Sequence, residues 1–388
     1  MKSVPNPYRR RTIVAAIVSA DSLALSALLF ALSRSVAVSE WMATHTTRAW
    51  VYLWGHIGSI FPWSIFEWGA LLLVTVAIVC VVSCIVLLCK RAWMRAASVI
   101  MPLVATGCCI LCVYYGTAGV CYNRKPLALP ICANDAIAAD RIADACDAFW
   151  NQYDAIAAQL ETDADGVPIC PYTFRELSDL LAREFARLDP QYFGTYTPRA
   201  KPVSNWWIMS NFRIAGITFV PTAEPNVNAG MPAYDRVTTM AHEMAHTHGI
   251  MREFNANTVA DYVLLISDDP YLKFCGMASV AGDWFTLFLY TNQYPIYRER
   301  FSERKQPAAS AMRTQSFEWW QRYDLFDEIG EFFNDLYLRL IGGQESGTGS
   351  YYDPSDADEI GTTPDGFPIF DNPQFGESAR ILYTLYAQ

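Results

Sequence analysis

The sequence predicts a membrane protein, with three transmembrane α-helices followed by a mainly helical α+β domain. Three observations predict it. Hydrophobic residues make up 52% of the 388 and crowd into the first third. Three stretches there have the roughly 20 apolar residues needed to cross a bilayer. Beyond residue 133, apolar positions recur at helical spacing, broken by one interval rich in β-branched and aromatic residues. The length exceeds one comfortable core, so two regions are expected: 1–122 in the membrane and 123–388 outside it.

The predicted spans cover residues 12–32, 68–89 and 96–115. Arg9, Arg10 and Arg11 precede the first as they would precede a signal peptide, but its apolar core is too long and more spans follow, so it is read as uncleaved. Basic residues set the orientation. Lys2 and Arg9 to Arg11 lie before span one, and Lys90, Arg91 and Arg95 join spans two and three, whereas the intervening loop holds only Arg48, with Arg34 at its edge. The expected arrangement is a multi-pass protein of a bacterial cell membrane, N-terminus cytoplasmic and the large domain extracytoplasmic. The lipid bilayer is thus one partner. The formal net charge of -10, carried mainly beyond residue 133, excludes nucleic acid as a partner. Asp21 lies within span one among Ser19, Ser22 and Ser26, where local hydrogen bonds would satisfy it. Six of the 11 cysteines (Cys80, Cys84, Cys89, Cys108, Cys109, Cys112) fall in apolar runs and read as packing residues. Cys121, Cys132, Cys146, Cys170 and Cys275 allow one or two bridges if their side is oxidising.

In the outer domain, periodicity predicts helices over 134–160 and 174–188. Ile208, Ile214, Ile217, Phe219 and Val220 predict one or two short strands within 206–220. Residues 226–230 read either as an edge strand able to pair with an extended substrate or as a plain turn. Gly, Ser, Asp and Pro mark 342–375 as a long loop before a last helix over 379–386.

The chemistry gathers at His242-Glu243-Met244-Ala245-His246, on a predicted helix with Asp235 as N-cap and Gly249 as stop. Residues i and i+4 share a helix face, so both imidazoles can reach one zinc ion while Glu243 contacts a water at the open coordination position. His248 is rotated by about 200° from His246 and is not expected to be a ligand. A catalytic site needs a third protein ligand. Glu253 is the choice, on a second helix folded back after Gly249; Asp261 is the reserve. Asn257, one turn beyond Glu253, can accept the remaining N–H of a ligand histidine.

The arrangement resembles the gluzincins, zinc peptidases in which HExxH is followed by a glutamate from a second helix and commonly an aspartate four residues later; here that position is Asn257. More widely, the chain is similar to a bacterial membrane-protein family catalogued as a domain of unknown function, with three N-terminal spans and an outer HExxH domain. Matching segments are Phe61-Pro62-Trp63-Ser64-Ile65-Phe66-Glu67, Tyr122-Asn123-Arg124-Lys125-Pro126-Leu127, Pro221-Thr222-Ala223-Glu224-Pro225-Asn226-Val227-Asn228 and Asn334-Asp335-Leu336-Tyr337-Leu338. The resemblance implies a zincin-like outer domain and a membrane-anchored zinc metallopeptidase acting on a peptide or protein substrate. In that chemistry Zn2+ activates water, Glu243 is the general base, and a polar side chain holds the developing oxyanion. Tyr337, Arg339, Tyr351 and Tyr352 are available for the last role. The competing expectation is a non-catalytic membrane sensor or scaffold with a structural zinc site.

Overall fold

The computed structural model describes residues 6–340, 355–364 and 366–387, apart from the side chains of Phe333, Tyr337 and Leu340. Among the described residues, three helices are long and apolar enough to cross a membrane: Pro7–Leu32, Ile65–Cys89, and a third that is α-helical over Trp93–Thr117 and continues as a 3-10 turn, Gly119–Asn123. Span three packs against both others. The serines beside Asp21 do not serve it. Ser19 and Ser26 donate to the carbonyls of Ala15 and Ser22 on their own helix, at 2.8 and 2.7 Å, and Asp21 is exposed on the span's surface. A hydroxyl four residues above a helical carbonyl finds that acceptor before any neighbouring side chain.

The segment joining spans one and two is a helical platform. It comprises Val36–Met42, a π-helical turn over Ala43–Thr47, and Arg48–Ser59. The domain then begins with helices Ala139–Ala157 and Phe174–Phe185. The first buries Ile142, Ala145, Phe149 and Tyr153, spaced as expected for one helix face. The second starts in a capping box in which Thr173 and Glu176 satisfy each other's backbone N–H. Both pack on one core with helices Pro270–Val280 and Glu377–Tyr386.

Three strands form the sheet: β1 (Lys201–Val203), β2 (Gly216–Phe219) and β3 (Glu224–Asn228). Their order is β1-β3-β2, with β1 parallel and β2 antiparallel to β3. Two expectations change here. The first half of the predicted strand interval is a helix, Trp206–Asn211, tied down where Asn205 meets Glu67; strand propensity yields to that anchor. Residues 226–228 belong to the buried central strand and 229–230 to the turn that follows it, so the edge strands are β1 and β2. Asn and Pro are tolerated in the centre because Asn226 donates to the Ile217 and Glu224 carbonyls, Asn228 donates to Ser210 Oγ, and Pro225 lies opposite Thr218, where no ladder bond is required. The predicted long loop contains a hairpin, β4 (Asp356–Thr362) and β5 (Pro368–Gln374), with an irregular register. All 11 cysteines are free, so the bridges allowed from the sequence do not form.

Domain and spans are bolted together. Ile65 and Phe66, the first residues of span two, donate to the Glu224 carboxylate at 3.1 and 2.8 Å. Glu67 in turn accepts from the backbone N–H of Ser204 and Asn205, at 2.9 and 2.7 Å, and Ser64 donates to Asn226 Oδ1 at 2.6 Å. Buried Lys201 donates to the Gly58 carbonyl (2.8 Å) and to that of Phe61. A helix start offers unpaired N–H groups and partial positive charge, which is what two carboxylates from or facing the sheet satisfy.

Candidate metal centre

The motif helix runs Ala233–Thr247, and the chain turns at Gly249, whose φ of +77° suits a residue without Cβ. Asp235 is not the N-cap: the helix begins two residues earlier, after Pro232, and Asp235 accepts from Ser316 and Trp320 instead. The next helix, Glu253–Leu265, lies back against the first. The turn between them rests on the end of span three. Arg124 donates to the His248 carbonyl at 2.8 Å and pairs with Glu40 at 3.0 Å, while Arg252 donates to the Tyr122 carbonyl at 2.9 Å.

This turn brings His242, His246 and Glu253 into one cluster that could hold a metal ion. His242 Nε2 is 3.0 Å from His246 Nε2 and 3.1 Å from Glu253 Oε2; His246 Nε2 is 3.7 Å from the same oxygen. Donors on a tetrahedral zinc with bonds near 2.0–2.1 Å stand about 3.3 Å apart, so these separations bracket the requirement. The other ring nitrogens decide the tautomers. His246 Nδ1 lies 2.6 Å from the Ile250 carbonyl, which can only accept, and His242 Nδ1 lies 2.7 Å from Asn257 Oδ1. Each ring can then donate outward, and in its neutral form it points the lone pair of Nε2 inward. Two imidazole nitrogens and one carboxylate oxygen therefore converge on one point.

The sequence profile of a family described as "Protein of unknown function (DUF3810)" matches residues 46–354. The chain belongs to this family. No curated protein and no solved structure matches it. In this DUF3810 chain the matched stretch runs from the platform through spans two and three and past the cluster.

Electrostatics follow from burial. Burial opposes charge on His246, but the Glu253 carboxylate outweighs it and raises the imidazole to about 9. Glu253 is itself disfavoured as an anion by burial, yet the two imidazoles hold it well below the ordinary carboxylate range. Glu243 is raised, chiefly by burial. It lines the same cleft as the cluster, a cavity of about 1280 Å³. Thr218 Oγ1 lies 2.7 Å from both the Glu243 carbonyl and its Oε2; with one hydrogen, the hydroxyl donates to one at a time. A Cβ at Gly216 would come within 2.6 Å of the Glu243 side chain. Thr218 and Gly216 were not predicted as site residues. Their signal was a strand spacing of two, which means little until the strand is known to flank the motif helix.

The remaining candidates are placed as follows. His248 faces away: it bonds the Phe193 carbonyl and Thr197, stacks on Phe185 at 5.0 Å, and burial, aided by Arg124 and Arg48, lowers it to about 4. Asp261 lines the cleft outside the cluster, raised by burial to about 7. Tyr337 belongs to the helix Asp327–Leu340, which lines the cleft through Gly330, Glu331 and Asn334. Its side chain lies outside the described residues, as do Tyr351 and Tyr352 altogether. Arg339 is exposed and pairs with Asp335 at 2.7 Å.

Proposed function

We propose that this chain is a membrane-anchored, zincin-like zinc metallopeptidase with its domain on the extracytoplasmic side, and that His242, His246 and Glu253 hold Zn2+. The observation that carries the reading is the inward convergence of two imidazole lone pairs and one carboxylate, with both outward N–H groups accounted for by Asn257 and Ile250. A structural zinc is usually closed by four protein ligands; among the described residues this cluster offers three, leaving a position open to the cleft.

Zinc bound there supplies a Lewis acid that polarises a carbonyl and lowers the pKa of water toward about 7. The chain supplies the proton handling. Glu243, raised by burial, exchanges a proton closer to neutrality than an exposed carboxylate does; it takes one from the attacking water and gives it to the leaving amine. Thr218 holds the carboxylate at Oε2 when its hydroxyl turns there and not to the Glu243 carbonyl. Edge strand β2 offers the substrate a pairing surface. Antiparallel alternation, with Asn228 N–H bonded to the Ala215 carbonyl, turns the backbone groups of Gly216 and Thr218 away from β3.

The test uses the full chain in detergent: zinc per chain, and hydrolysis of a mixed peptide library by wild type and Glu243→Gln. Both proteins should hold about one zinc, and the variant should lose about 10²- to 10⁴-fold in rate. Equal cleavage by the two sinks the mechanism, and a wild type without zinc sinks the site.

A further inference from the structure

We propose that the cleft takes the juxtamembrane stretch of a polypeptide anchored in the same bilayer. This rests on the peptidase reading and names its substrate class.

The cleft begins at the cluster and ends at the membrane helices. Its lining passes from His242, Glu243 and β2 to Phe66, in the first turn of span two, and to Tyr114 and Ala118, at the end of span three. The Phe66 ring meets Phe219 of β2 at 4.9 Å. The turn that delivers Glu253 is equally close to the spans, because Met251 packs in one apolar cluster with Ala118, Val120 and Tyr122, against which Leu29 of span one and Tyr114 also lie. The ends of all three spans that face the domain therefore meet beneath the metal cluster.

Aromatic residues mark where the bilayer begins. Trp63 and Trp68 flank the start of span two and are 40% and 51% exposed, and Tyr114 and Tyr115 end span three. Rings of this kind sit at the headgroup level, so the lower mouth of the cleft opens there. Its β2 wall carries the apolar side chains of Ile217 and Phe219, and the helix Asp327–Leu340 closes the other side with Asp327, Gly330, Glu331 and Asn334, its exposed Ile329, Phe332 and Leu336 lying on the opposite helix face. That helix is held to the sheet side, since the Phe326 N–H donates to the Asn211 carbonyl and Gly330 packs directly on Phe212. A free peptide gains nothing from a mouth at the headgroups. A chain leaving the bilayer enters it directly and lies along the exposed backbone of β2.

The experiment reconstitutes the zinc-loaded full chain in vesicles with single-span probes that share one reporter segment. The segment begins about 5 or about 40 residues outside the bilayer, reaches of roughly 17 and 130 Å when extended; a soluble peptide carries it untethered. Cleavage is read with wild type. Photo-crosslinking from the segment, mapped by mass spectrometry, is read with Glu243→Gln. The short-tether probe should be cleaved at least tenfold faster than the other two and should crosslink to β2 or to Tyr114. Equal cleavage and crosslinking of all three probes overturns the tethered substrate and leaves the peptidase standing. Short-tether crosslinking with no cleavage of any probe overturns the peptidase and leaves tethering standing. No crosslink from the short-tether probe to the cleft overturns the proposal outright.

Discussion

His242, Glu243, His246, Glu253 and Asn257 were readable from spacing alone, since each placement needs only helical geometry and one reversal at Gly249. The Ile250 carbonyl was not, because a backbone acceptor leaves no mark in residue type. Asn257→Ala removes one of the two outward acceptors; zinc affinity should fall about 10- to 100-fold, as measured by competition with a chromophoric chelator. The charge state of the cluster adds a pH dependence. Metal-free His246 is raised to about 9 by Glu253, and zinc takes only the neutral ring, so binding should tighten as pH rises toward 9 and release about one proton per zinc below it. Calorimetry in buffers of different ionisation enthalpy counts that proton. The metal-free protein should behave oppositely. A group raised in the folded state contributes stability that is complete below its unfolded value near 6.5 and is lost as pH rises through 9, so melting with a chelator present should weaken across that window.

Edge strand β2 and the motif helix act as a pair, and their relation was hidden in the sequence. Propensity placed one or two short strands within 206–220, and β2 is one of them, while the helix Trp206–Asn211 is imposed by the anchoring of Asn205 on Glu67, some 138 residues away. Periodicity reports burial, and burial there is decided by a distant partner. The same long reach made β3 central despite its Asn and Pro. Gly216→Ala tests the pair: a Cβ that would meet Glu243 and Thr239 must displace the carboxylate, and a shift near 1 Å should cost about 10²-fold in hydrolysis with zinc retained. Loss of zinc along with activity would show that the helix, and not the base alone, had moved.

The three apolar spans follow from composition; their mechanical union with the sheet does not. Glu224, Glu67 and Lys201 look like ordinary surface charges in the sequence, yet they join β3 and β1 to span two and the platform. Glu224→Ala leaves two span N–H groups without their acceptor and should destabilise the full chain by about 1–3 kcal/mol, read as a lower melting temperature in detergent. Removing residues 1–122 should be worse, taking the Gly58 and Phe61 acceptors from Lys201, the Tyr122 carbonyl from Arg252 and Glu40 from Arg124 together. The 248–252 turn is seated on residues 122–124, so the helix that brings Glu253 beside the two histidines is braced by the end of span three. The spacing of the cluster thus depends on how the spans pack as well as on the motif helix, and a shift of span three would be felt at Glu253.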